Sequence, residues 1–117
     1  SMKNKEKLKE LLKFLRENSI DAQFPNLEIK VPETGMTPEL MMNLQNDHFK
    51  AIKSSNIVYV FNPGKYIGRM VSIEIGYAKA IGKYIIFFQK TEQIELNVLA
   101  DDFQGVEGLL RVQKNYV

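Results

Sequence analysis

The residue in this chain best placed to do chemistry is a glutamate. Glu74 stands in the stretch Arg69-Met70-Val71-Ser72-Ile73-Glu74-Ile75-Gly76-Tyr77-Ala78. On a helical wheel at about 100° per residue, Ile73, Ala80, Tyr77, Met70, Ile81, Ala78, Val71 and Ile75 fill an arc of about 220°. Glu74 falls near the middle of that arc, and Ser72, Gly76, Lys79 and Lys83 take the opposite side. A carboxylate among apolar neighbours is costly unless it meets partners or a cavity. Such a group is expected to have a perturbed pKa and to mark a site. The plainer reading is a glutamate near a helix start, where the helix dipole favours it.

The segment before that helix is Asn62-Pro63-Gly64-Lys65-Tyr66-Ile67-Gly68. It follows an apolar run, so it reads as a loop at the carboxyl end of a strand, where open α/β sheets collect ligands. Unpaired N–H groups at the helix start favour an anion there. Gly64 and Gly68 let backbone approach a ligand closely. The pattern is neither a P-loop nor a G-x-G-x-x-G fingerprint. Asn62 can donate to a sugar hydroxyl or phosphate, or simply shape a turn. Tyr66 can stack on a base or serve as a packed loop aromatic. Lys65 and Arg69 flank the helix start as phosphate ligands or as plain surface charge. His48, the lone histidine, lies on an apolar helical stripe, where a core or interface role is commoner than a catalytic one. Asp47 is a sugar or base contact or a solvent-facing neighbour.

The elements that must hold these residues follow from periodicity. Leu8, Leu11, Leu12 and Leu15 predict an amphipathic helix over 4–17. Ile20 to Phe24 is a short strand candidate. Pro25, Pro32, Gly35 and Pro38 mark a loop over 25–38. Thr37 caps a helix starting at Pro38, with Leu40, Met41, Leu44, His48, Ala51 and Ile52 at helical spacing. Asn56–Phe61 and Tyr84–Phe88 are near-continuous apolar runs, expected as strands buried on both faces of a parallel sheet. Between them a helix runs from about Arg69 to Ile81 and stops at Gly82. A short helical piece near Glu95–Ala100, a weak strand near Phe103–Val106 and a helix near Glu107–Gln113 complete the chain. Helices alternating with buried strands predict an α/β domain with a mostly parallel sheet. No repeat or low-complexity tract divides it, so the expectation is one domain over 1–117.

Composition sets the outer bounds. Of 117 residues, 44% are hydrophobic and 26% charged, a globular balance. There are no cysteines and one histidine, which excludes disulfides, thiolate nucleophiles and His-rich zinc sites. Net charge is +2, from 16 basic and 14 acidic residues, too mild to argue for a nucleic-acid partner. The lysines from Lys3 to Lys13 alternate with Glu6 and Glu10 and read as a solvated helix face. No apolar run approaches the roughly 20 residues of a membrane span, and the opening residues are charged. Cytoplasm is the expected location, with no membrane and no cofactor.

Gly64-Lys65-Tyr66-Ile67-Gly68-Arg69-Met70-Val71-Ser72-Ile73-Glu74-Ile75-Gly76-Tyr77-Ala78-Lys79-Ala80-Ile81-Gly82-Lys83 resembles the nucleoside 2-deoxyribosyltransferase family. The shared core is E-[IL]-G-Y-A, then G-K and an apolar strand. The stretch A-I-K-S-S-N-I-V-Y-V-F-N-P-G also looks like the strand that precedes the family's site. The match runs from about His48 to Phe88. It implies a flavodoxin-like (Rossmann-like) three-layer fold. It also implies that Glu74 is a nucleophile attacking C1′ of a 2′-deoxynucleoside or its monophosphate. A covalent deoxyribosyl-enzyme then passes the sugar to a second base or to water. The substrate-binding set implied around it is Asn62, Gly64, Tyr66, Gly68, Arg69, His48 and Asp47. Family chains begin with a strand and a small-residue loop, which this sequence lacks. Many carry an aspartate where His48 stands here, with Asp47 before it. The family's sites are usually built at subunit contacts, so a homo-oligomer is expected. The alternative is a non-catalytic nucleotide- or nucleoside-binding module of the same fold.

Overall fold

The computed structural model describes Glu6, Glu10, residues 35–105, residues 107–109 and Arg111. The chain divides into two compact units, Ser1–Ser54 and Ser55–Val117. In the first, Glu6 and Glu10 are helical, and helix α1 spans Pro38–Ser54. The rest of the 4–17 helix and the Ile20–Phe24 strand lie outside the described residues, as does most of the 25–38 loop. Helix α1 begins where the sequence places it. Pro38 supplies a preset φ at the first helical position, and the Leu40 N–H donates to Thr37 Oγ1 at 3.2 Å. Met41, Leu44, Gln45, His48 and Ile52 are half-buried and recur at helical spacing, while Asp47 is exposed.

The second unit is α/β. Strand β1 (Ile57–Val60) leads to helix α2 (Arg69–Ala80), strand β2 (Tyr84–Phe87), short helix α3 (Ile94–Asn97) and strand β3 (Asp102–Phe103). The three strands are parallel in the order β1-β2-β3, compatible with a flavodoxin-like fold. Register pairs Ile57 with Tyr84 and Val60 with Phe87, then Ile86 with Asp102 and Phe87 with Phe103. Parallel neighbours require a crossover, and helix α2 is the one between β1 and β2. It lies against β2.

The two apolar runs divide their burial unequally. Ile85, Ile86 and Phe87 on β2 are wholly buried, as a central strand covered on both faces must be. On β1 only Val60 is buried, while Ile57, Val58 and Tyr59 are half-buried. The sequence reading made both strands equally internal. The difference arises because β1 is an edge of the sheet among the described residues. Ring contacts extend the core: Phe87 meets Phe103 edge-on at 5.8 Å, and Phe61 meets Phe88 at 5.1 Å. The Tyr59 phenol reaches across from β1 and donates to the Gln104 carbonyl at 2.9 Å.

Helix α2 ends by backbone geometry. Gly82 takes φ of 77°, a left-handed conformation open to glycine. Its N–H donates to the Lys79 carbonyl at 3.2 Å, and the Lys83 N–H donates to the Ala78 carbonyl at 3.0 Å. These are the two bonds of a Schellman motif, and they turn the chain straight into β2. Among the described residues no helix is long and apolar enough to cross a membrane.

Two stability measurements follow. Gly82→Ala forces a side chain into the left-handed region, and its urea midpoint should report a loss of about 1 kcal/mol. Burial pushes the Tyr59 phenol well above its ordinary value of 10.0. The unfolded chain therefore loses this proton first as pH rises. The stabilisation is complete below the unfolded pKa and declines above it. Between pH 9 and pH 11 (about one unit either side of the ordinary phenol value) the protein should lose more stability than Tyr59→Phe does, as read from urea midpoints.

Candidate functional site

Because all three strands are parallel, their carboxyl ends share one edge of the sheet. Three connections leave from it: residues 61–68 into α2, residues 88–93 into α3, and Gln104-Gly105 towards the helical residues at 107–109. The first two are tied together by side-chain amides used as substitute peptide groups. Asn62 Nδ2 donates to the Gln89 carbonyl at 2.8 Å, and the Gln89 N–H donates to Asn62 Oδ1 at 3.2 Å. Gln89 answers in kind: its Nε2 donates to the carbonyls of Asn62 at 2.8 Å and Pro63 at 2.9 Å. Further along, the Ile67 N–H donates to Gln93 Oε1 at 2.8 Å, and Gln93 Nε2 donates to the Ile67 carbonyl at 3.0 Å. The Glu92 N–H adds a backbone bond to the Lys65 carbonyl at 3.2 Å.

Within the second connection the device recurs. The Thr91 N–H donates to Asn97 Oδ1 at 2.9 Å, and Asn97 Nδ2 donates to the Thr91 carbonyl at 3.0 Å. Each pairing satisfies a backbone donor and acceptor that a short strand leaves behind. Asn62 is 4% exposed, so its amide shapes this edge from within. The turn reading of Asn62 describes what the residue does here: its carbonyl accepts the Lys65 N–H at 3.1 Å, closing a turn through Pro63 and Gly64.

The left-handed residue of that turn is not its glycine. Gly64 does not take a positive φ, whereas Lys65 does, at 66°. A non-glycine residue in the left-handed region carries a cost and is met most often at functional loops. Lys65, Tyr66 and Arg69 are all exposed, and Tyr66 has 67% of its surface open. Gly64 and Gly68 are exposed with open space where a side chain would stand. Gly68 is the N-cap of α2 and supplies no side-chain cap. The first-turn N–H groups therefore lack the usual side-chain oxygen, an arrangement that favours an anionic ligand.

Glu74 lies one to two turns into the same helix. Its residue is 7% exposed, and with Ile75 and Ala78 it makes up the buried face of α2. The helical wheel thus locates the buried stripe through Glu74. The apolar arc around it is only partly covered: Val71, Ile73 and Ile81 stay exposed. The structure brings Asn62, Gly64, Tyr66, Gly68, Arg69 and Glu74 onto one loop and helix. Asp47 and His48 sit on α1 in the first unit. Among the described residues no group of three His, Asp or Glu is arranged to hold a metal ion.

Gln89, Thr91, Gln93 and Asn97 had no place in the sequence reading. The signal for them was available: a buried strand ending in Gln-Lys-Thr-Glu-Gln puts polar amides at the carboxyl edge of a parallel sheet. No protein-family model matches this chain, and no curated protein is similar to it in sequence.

The clamp at Asn62 is directly testable. Asn62→Ala leaves the Gln89 N–H and carbonyl without their partners in a buried setting. It should cost about 1–3 kcal/mol in urea or thermal unfolding. Asn62→Asp keeps the acceptor but sets a buried carboxylate oxygen against the Gln89 carbonyl, and should cost at least as much as Asn62→Ala.

Proposed function

We propose that this protein transfers or hydrolyses at the N-glycosidic bond of 2′-deoxynucleosides or their monophosphates, with Glu74 as nucleophile. The observation that carries the reading is the position of Glu74. It is a buried carboxylate on a helix whose uncapped start opens at the carboxyl edge of the sheet. The resemblance of residues 64–83 to the nucleoside 2-deoxyribosyltransferases supplies the reaction class.

In that chemistry a Glu74 oxygen attacks C1′ of the deoxyribose. The C1′–N bond breaks, and its electron pair leaves with the base, which takes up a proton. The sugar is held as an ester of Glu74. A second base nitrogen, or water, then attacks C1′, loses a proton and returns the carboxylate. The Tyr66 ring, two-thirds exposed, offers a stacking surface for a base. Lys65, Arg69 and the first-turn N–H groups of α2 offer positive potential for a 5′-phosphate. Self-association fits the same reading. Strand β1 is an uncharged edge among the described residues, and Ile73 on α2 and Ile81 at its C-cap are exposed.

A non-catalytic nucleotide-binding module uses the same loop and leaves Glu74 idle. The two readings part in one experiment. Purified protein and Glu74→Gln are incubated with each 2′-deoxynucleoside and 5′-monophosphate, with and without a free acceptor base. Base release or exchange is followed by chromatography, and binding by calorimetry. The enzyme reading expects turnover that falls at least ~10³-fold in Glu74→Gln while binding persists. Binding with no turnover in either protein replaces it with the module.

A further inference from the structure

We propose that Gln93 is a positioning residue for Glu74, acting through the start of helix α2. The inference rests on the reading of Glu74 as the reacting carboxylate. Helix α2 begins at Gly68, which has no side chain with which to fix its own first turn. What holds this start is the residue before it. Ile67 is 3% exposed, and both of its backbone polar groups are taken by one side chain, the amide of Gln93. A planar amide that accepts from an N–H and donates to the adjoining carbonyl reproduces the bonding of a neighbouring strand. It therefore fixes the orientation of the Ile67 peptide units as well as their position.

Gln93 is itself held. Its N–H donates to Thr91 Oγ1 at 2.5 Å, and it is the N-cap of α3. The Asn97 amide in turn pins Thr91. A chain of hydrogen bonds thus runs from α3 through Thr91 and Gln93 to Ile67, and covalently through Gly68 to the helix that carries Glu74. Of the three bonds joining residues 65–67 to residues 92–93, Gln93 supplies two and the Glu92 N–H supplies the third. Removing the amide frees the helix start to rotate or slide against β2. Small displacements matter: a reacting group moved by about 1 Å can cost on the order of 10²-fold in rate.

The test compares Gln93→Ala and Gln93→Glu with Asp101→Ala. Asp101 provides the control: its carboxylate accepts the Ile85 N–H at the amino end of the strands, and its tie to α2 is an exposed ion pair with Lys79 in the last turn, at the opposite end from the helix start. Two readouts are taken on the full chain. One is kcat and KM with whichever 2′-deoxynucleoside or monophosphate the unmodified protein turns over. The other is the 13C signal of the Glu74 side-chain carboxyl and its titration, which needs no substrate. Positioning expects kcat to fall roughly 10- to 100-fold in Gln93→Ala with KM within about threefold, and at least as much in Gln93→Glu, whose carboxylate sets an oxygen against the Ile67 carbonyl. It also expects the Glu74 signal to move in Gln93→Ala and to stay put in Asp101→Ala. An unmoved Glu74 signal in Gln93→Ala overturns the proposal, as does a kcat loss no larger than that of Asp101→Ala. If no substrate is turned over by any of the proteins, the glycosidic reading fails. The carboxyl signal then still decides whether Gln93 sets the position of Glu74.

Discussion

Hydrogen bonding of backbone groups just beyond the ends of very short strands is the constraint on which this fold turns. Strands β1 and β2 have four residues each and β3 has two. Such a ladder satisfies few peptide groups, yet the chain beside it runs through partly buried ground where unpaired N–H and C=O groups are costly. Side chains complete the ladder. Asn62 and Gln89 prolong the β1–β2 pairing past the carboxyl ends. Gln93 and Asn97 do the same for the loops. At the amino end, Asp101 Oδ2 accepts the Ile85 N–H at 2.8 Å while its own N–H donates to the Ile85 carbonyl at 2.8 Å. The carboxylate of Asp101 also meets Lys79 at 3.6 Å, an exposed pair whose own contribution is small.

This arrangement explains why the carboxyl edge holds an ordered loop without a helix cap. The residues from Asn62 to Gly68 are fixed from outside, by amides on the next connection, so the α2 start need not fix itself. That leaves Gly68 free to be bare and the helix start without a side-chain cap. It also supports the left-handed Lys65, whose carbonyl is held by the Glu92 N–H and whose N–H is held by Asn62. A strained residue persists only where its surroundings over-determine it, and here bonds on both sides do so.

How much of this was legible in the sequence depends on the range of the interaction. Helix starts and stops are local, and they could be read. Thr37-Pro38 opens α1, and Gly82 closes α2 with the left-handed turn that glycine permits. The runs Ile57–Val60 and Tyr84–Phe87 are strands, because continuous β-branched and aromatic residues suit a parallel sheet. Strand rank was not legible. Both runs are equally apolar, and only the pairing order makes β2 central and β1 an edge. The site divided in the same way. The burial of Glu74 follows from the 3.6-residue period, a property of one helix. The amide clamps between the two loops join residues 26 or 27 apart, and no local pattern reveals those pairings. Asn62 and Gln93 could be seen as polar loop residues, but their partners could not. The left-handed residue of the loop is Lys65 and not a glycine, so its residue type gives no sign of that conformation.

The remaining question is why a core of this size should contain a carboxylate at all. Among the described residues nine hydrophobic side chains are buried, a small set with few to spare. Glu74 occupies a position on α2 between Ile75 and the start of the helix, beside Ala78, where an aliphatic side chain would contribute burial energy at no desolvation cost. Meanwhile Val71 and Ile73 stand exposed on the same helix and Ile81 at its C-cap. A sequence shaped only for stability would make the opposite choice, with the apolar residue inward and the charge outward. Under the proposed function that position holds the reacting carboxylate, on the helix whose start is left bare and held from outside. The buried carboxylate, the uncapped helix start and the amide clamps that fix that start are features of one edge of the sheet. They are mutually consistent with the proposed function, in which Glu74 is the reacting carboxylate.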